Sequence, residues 1–253
     1  MKKILGVLFC FVLLACFISC ESTKVEGSNK KSGYTIKEGD GVVAYFTFDE
    51  DEIENDIVID HSGLGNDADT NSLDEAELVE GYIGNALFFN GEDQYLSVTD
   101  ELLSGEGFTI SMWVNPTGWK DWQRIFDIGD GNVCDCWAGM DFETKQLRFD
   151  VFGSRGAIQT RAPLPKVGEW THVAVTLGNG TASLYVNGKT VQSGPCAVSP
   201  EDIYDTVNGI YIGRSNWAAD PLFFGAIDEI LLAKRAFSSK EVASLFKGIS
   251  LAE

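Results

Sequence analysis

The stretch EWTHVAVTLGNGTASLYVNGKTV, from Glu169 to Val191, constrains the fold of this chain more than any other. Val173, Val175 and Leu177 alternate with Ala174 and Thr176, and Leu184 and Val186 alternate with Ser183 and Tyr185. A period of two is the mark of a half-buried strand. Asn179-Gly180 and Asn187-Gly188 supply residues that tolerate the positive φ angles of tight hairpin turns. Two antiparallel strands are therefore expected here, with a second turn leading on.

The same texture extends over the chain. VVAYFTF (42–48), AELVEGYIGNALFFNG (76–91), YLSV (95–98), FTISMWVNP (108–116), RIFDIG (124–129), QLRFDVFG (146–153), IYIGR (210–214) and AIDEILLA (226–233) all read as strands. Turn signals recur between them, and no fixed repeat period is visible, which argues for a sandwich or jelly roll over a solenoid or propeller. From Gly41 onward roughly 210 residues remain, a size that suits one large β domain. One helix is expected near the end. Ser238 and Glu241 form a capping-box pair, Val242, Leu245 and Phe246 share a face, and Gly248 is a natural stop.

Lys2 and Lys3 precede an apolar run from Ile4 to Ile18 that is too short to span a bilayer and reads as an export signal. The run ends in FISC and a polar segment, ESTKVEGSNKKSG. This resembles the lipobox of bacterial lipoproteins, which implies acylation of Cys20, or of Cys16, and a protein held in the bacterial cell envelope by an N-terminal lipid anchor. The expected organisation is a signal peptide at 1–19, a flexible tether at 20–40 and a single domain at 41–249. The net charge of −19 comes from 38 acidic and 19 basic residues, and it disfavours nucleic acid and anionic lipid as partners. Cys134, Cys136 and Cys196 lie in an oxidising compartment on this reading, so a bridge is expected from Cys196 to Cys136 or to Cys134.

Taken in order, YFTFDE, DHSGLGNDA, GNALFFNGEDQYLSV, FTISMWVNP, EWTHVAVTL, LYVNGK, IYIGR and GAIDEILLAKRAFSSKEVASLF make the chain similar to the laminin-G-like jelly rolls of the concanavalin A-like lectin/glucanase superfamily. The resemblance covers nearly everything from Val42 to Phe246. It implies an all-β, antiparallel two-sheet sandwich with a short C-terminal helix, a fold that serves binding modules and glycosidases alike.

Glycosidases of that branch carry paired carboxylates on a short strand, and no such pattern occurs here. Asp49-Glu50-Asp51-Glu52 lacks apolar alternation, Asp228-Glu229 has no acidic partner at i+2 or i+3, and Asp127 and Asp130 straddle a glycine turn. His172 lies within a strand and is expected to be structural. The resemblance implies one Ca²⁺ where the first strand meets the last, bringing Asp49 near Asp228, with Asp60 and Asn66 of the DHSGLGN turn as further ligands. The alternative is that Asp60 and Asn66 cap that turn.

Sugar binding requires aromatic planes beside hydrogen-bonding groups. Trp119, Trp122, Trp137 and Trp217 sit in polar, turn-like surroundings, and Gln146, Arg148 and Asp150 share one strand face. Loop packing is the competing explanation for each Trp. The expectation is a non-catalytic, lipid-anchored envelope module that binds carbohydrate or protein. The alternatives are a glycoside hydrolase of the same superfamily and an adhesive surface protein with a protein partner.

Overall fold

The computed structural model describes residues 34–37, 39–49, 53–54, 56–72 and 77–248. The leader, both candidate acylation sites (Cys16 and Cys20) and Glu50, Asp51 and Glu52 lie outside the described residues. In chain order the strands begin with β1 (Val42–Phe46), β2 (Ile53–Glu54), β3 (Ile57–Val58), β4 (Ala68–Asn71), β5 (Glu77–Glu80) and β6 (Asn85–Asn90). Next come β7 (Tyr95–Ser97), β8 (Gly107–Pro116), β9 (Arg124–Gly129), β10 (Asp135–Met140), β11 (Leu147–Gly153) and β12 (Gly156–Ala162). The set closes with β13 (Thr171–Gly178), β14 (Thr181–Val186), β15 (Lys189–Pro195), β16 (Gly209–Ile212) and β17 (Phe224–Ala233). Helix α1 (Pro200–Tyr204) precedes β16, and α2 (Ser239–Phe246) follows β17.

These strands form two antiparallel sheets. The first runs β15-β14-β13-β8-β17-β6-β5, with β1 pairing the second half of β17. The second runs β12-β11-β10-β9-β16-β7-β4-β3-β2. Alternation places Phe108, Ile110, Met112 and Val114 of β8 and Val173, Val175 and Leu177 of β13 on the inner face of the first sheet. Cys136 and Ala138 of β10 and Leu147, Phe149 and Val151 of β11 meet them from the second sheet. All are buried, so truncating a residue such as Phe149 to Ala should cost about 3–5 kcal/mol.

The expected hairpin is present. Val173 pairs with Val186 and Gly178 with Thr181, and Asn179 and Asn187 take φ of 52° and 49°. The C-terminal helix also forms, with Ser238 and Glu241 completing the capping box. Val242 and Leu245 bury a stripe against Tyr45, Tyr185, Leu231 and Phe237 on the outer face of the first sheet. Tyr34, within the segment expected to be tether, is buried in that same cluster, and its ring centroid lies 5.6 Å from that of Tyr45. The outer face of the first sheet is thus dressed with apolar groups, while that of the second carries charge and tryptophan.

Candidate functional site

Strand register places the outward residues of the second sheet in rows. Tyr211, Asp127, Trp137, Asp150 and Gln159 stand side by side on β16, β9, β10, β11 and β12. Arg124, Gly139, Arg148 and Arg161 form the next row across β9 to β12. A register shift between Ala138 and Gly139 lets Ile125 and Phe126 both enter the core, so that Arg124 and Asp127 emerge on the same outer face. Gly139 lets the backbone of β9 approach closely at this register shift. A Cβ there would lie 2.3 Å from the Gln123 carbonyl oxygen.

Trp137 is the centre of this face. The guanidinium carbon of Arg124 lies 3.7 Å from its ring centroid and that of Arg148 lies 4.9 Å away. Arg124 also reaches Asp127 at 3.3 Å, Asp220 at 3.2 Å and the Trp122 carbonyl at 2.8 Å. Arg148 pairs with Asp150 and approaches Asp141 at 3.8 Å, while Arg161 holds the other oxygen of Asp141 at 3.0 Å. The Ser215 hydroxyl donates to Asp220 (2.8 Å), and the Asn216 amide donates to Asp127 (2.8 Å). Cation–π contact and charge-assisted hydrogen bonds together fix every side chain of the floor.

Burial shapes the charge states. It pulls the Arg124 guanidinium below its ordinary value, while Asp127 and Asp220 push it back. Burial raises Asp150 and Asp220, each opposed by its arginine. Asp135, fully buried beside Asp127, is pushed far up by burial and by that neighbouring carboxylate.

Above this floor lies a cleft of about 380 Å³ lined by Trp122, Trp137, Trp217, Phe152 and the ion-paired Arg124, Arg148, Asp150 and Asp220. Trp217 is 53% exposed and packs against Gly131, where a Cβ would lie 2.7 Å from its ring. Trp122, at φ 67°, stacks with Phe142 at 6.0 Å and meets Trp137 edge-on at 6.3 Å.

Of the expected ligand-binding residues, the structure brings Trp122, Trp137, Arg148 and Trp217 together and leaves Trp119 out. Trp119 donates its indole N–H to the Pro165 carbonyl and packs against the core. Trp137 is not in a loop, as its polar neighbours suggested, but in the middle of β10. Nothing in the sequence singled out Arg124, Asp135 or Asp220, and Asp127 was weighed only as a catalytic carboxylate beside a turn. Asp127 does not flank a turn but lies within β9, and the two charges of opposite sign inside RIFDIG were the available signal.

The four candidate calcium ligands separate into two pairs. The Asp60 carboxylate accepts from the backbone N–H groups of Tyr45, Ser62 and Asn66, and the Asn66 amide donates to the Val43 carbonyl. Both are therefore spent on capping their turn. Asp49 and Asp228 instead grip one short turn from opposite ends: Asn85 N–H donates to Asp49 at 2.9 Å and Ile83 N–H to Asp228 at 3.0 Å. The second carboxylate oxygen of Asp228 is buried without a protein partner, an arrangement that suits a hard cation. No group of three or more His, Cys, Asp or Glu side chains that could hold a metal occurs among the described residues, so carbonyl oxygens would have to complete such a site.

The expected Cys136–Cys196 bridge is not formed, nor is one to Cys134. All three are free, buried thiols, and that of Cys196 donates to the Val198 carbonyl at 3.8 Å. Burial raises all three thiol pKa values, that of Cys134 to about 11. They behave as small core residues packed among apolar neighbours. His172 is fully buried, 2.9 Å from the Ser111 hydroxyl.

Comparison with known proteins agrees with the architecture. Domain 4 of AbnA, a GH43 extracellular arabinanase from Geobacillus stearothermophilus solved with arabinotriose, superposes with a TM-score of 0.63 at 24% identity, over 81% of this chain and 97% of that one. Trypanosoma rangeli sialidase in complex with sialic acid gives 0.60 at 20% identity, over 81% of this chain and 32% of that one. The binding domain of Paraclostridial Mosquitocidal Protein 1 gives 0.58 at 18%, covering 82% and 52%. A 175-residue segment is 26% identical to the Adhesion G-protein coupled receptor V1 of Danio rerio, spanning 64% of this chain and 3% of the receptor. A laminin-G-type family model matches residues 90–243, and the chain belongs to the concanavalin A-like lectin/glucanases superfamily.

Proposed function

We propose that this protein is a non-catalytic carbohydrate-binding module, displayed on the bacterial envelope by a lipid on Cys20, that holds a glycan in the cleft over Trp137. The observation that carries this reading is the convergence of Trp122, Trp217 and Phe152 with Arg148 and Asp150 around one opening. Aromatic planes take the C–H faces of a sugar, and the rigid ion-paired floor offers directed donors and acceptors. The AbnA domain, solved with arabinotriose, supports a glycan as ligand. Asp150 and Asp220 are each tied to an arginine, the state of a hydrogen-bonding floor and not of a free acid and base. Ca²⁺ is the proposed cofactor, held by Asp49 and Asp228, and by bracing the 81–85 turn it stiffens the edge of the first sheet.

A glycan array probed with the protein and with a Trp122→Ala/Trp217→Ala variant tests the reading. Binding to a defined glycan set, lost in the variant, is the expected result. A blank array with a positive protein pull-down would instead favour an adhesive role, and hydrolysis of a bound glycan would restore the enzyme reading.

A further inference from the structure

Resting on the glycan reading, we infer that the cleft selects an uncharged sugar with two adjacent free hydroxyls, and that Arg148 and Asp150 read that diol. Two independent features of the floor carry this.

The first is charge. A sugar carboxylate entering a cleft needs a guanidinium whose charge is not already spent. Arg124 is held by Asp127 and Asp220, and Arg148 by Asp150 and Asp141. Lining charges therefore cancel, Arg161 balances Asp141, and Asp127 adds negative charge behind them. An anionic sugar would lose its hydration and gain no free cation in return.

The second is an unmet pair of hydrogen-bonding atoms. Asp150 is 3% exposed and one of its carboxylate oxygens has no partner, while the Nε–H of Arg148, two residues away on the same face, also has none. Both residues line the cleft, and the two atoms lie just beneath its wall, closed to water until the Arg148 side chain shifts. One orphan accepts and the other donates. A vicinal diol answers both, since one hydroxyl gives its proton to Asp150 and its neighbour accepts from Arg148.

The test uses tryptophan fluorescence of the protein titrated with methyl glycosides of arabinofuranose, glucose and galactose. Glucuronic, galacturonic and N-acetylneuraminic acids are the charged counterparts, all at low and at high ionic strength. The expected result is a neutral glycoside bound at least about tenfold more tightly than any acidic sugar, with affinity little changed by salt. Its deoxy analogues at the diol, and an Asp150→Asn variant whose circular dichroism and melting are unchanged, should each lose about tenfold or more. If that variant does not fold, the deoxy analogues on the native protein decide. An acidic sugar bound as well as its neutral counterpart, affinity falling steeply with salt, or deoxy analogues bound equally would overturn the inference while leaving a glycan site standing. No response to any of these sugars, in a protein the array shows to bind larger glycans, would refute diol reading by a single unit. Silence in both experiments would remove the glycan reading itself.

Discussion

Acid should destabilise this protein through His172. The ring lies in β13 opposite Trp113, its centroid 5.2 Å from that of Trp113 and 5.8 Å from that of Phe246, and one ring nitrogen meets the Ser111 hydroxyl. Burial alone depresses its pKa from 6.5 to about 3. The native state therefore refuses a proton that the unfolded chain accepts. The resulting stability is fully present above the unfolded value and drains away as pH falls toward the folded one. The loss comes to about 2 kcal/mol at about pH 5 and about 3 kcal/mol at about pH 4, a large share of a typical domain's 5–15 kcal/mol. Urea unfolding of the protein and of a His172→Phe variant across this range measures it. The variant keeps a flat ring and loses the Ser111 hydrogen bond, worth about 1 kcal/mol at every pH. Carboxylates with raised pKa values titrate in both proteins and cancel in the difference. The native protein's advantage should therefore shrink, then reverse, on acidification. A gap that stays constant from neutral to acid would refute the reasoning.

Other outcomes follow from the same geometry. Asp135→Asn should be neutral or stabilising at neutral pH. Its raised pKa means the unfolded chain releases a proton the native state keeps, so the variant's relative advantage should grow as pH rises from the ordinary carboxylate range; denaturation at two pH values checks this. Trp217→Ala should weaken glycan binding by about tenfold with an unchanged melting temperature, while Trp137→Ala should cost about 3–5 kcal/mol of stability, because only the former is exposed. Gly131→Ala, at φ 71° and against the Trp217 ring, should weaken binding by displacing that ring, measured by titration beside a thermal melt. Added Ca²⁺ should raise the melting temperature and chelator should lower it, with Asp228→Asn abolishing the response and Asp60→Asn destabilising with or without Ca²⁺.

The hairpin of β13 and β14 and the helix α2 were legible because each follows one rule, a period of two with Asn-Gly turns or a capping box before an apolar stripe. Strand β10 was not. In Asp-Cys-Trp-Ala-Gly-Met every residue is buried, since its outer face is roofed by arginine side chains, and the usual apolar–polar contrast vanishes. Strand β15, Lys189–Pro195, is an almost wholly exposed edge with a single large apolar residue, so nothing in its composition announced a strand. The shared face of Arg148 and Asp150 could be read from spacing alone. Their neighbours Arg124 and Asp127 could not, because the register shift beside Gly139 breaks the alternation that would have linked them. Asp60 and Asn66 could be read either as ligands or as turn caps because the two kinds of site draw on the same residue types.

The most direct measurement is an indole N–H spectrum of the ¹⁵N-labelled protein, titrated with a glycan found on the array. Six tryptophans give six signals. Trp122, Trp137 and Trp217 should move together and saturably while Trp113, Trp119 and Trp170 stay in place. Movement confined to the latter three, or none at saturating glycan, would contradict a binding cleft on the outer face of the second sheet.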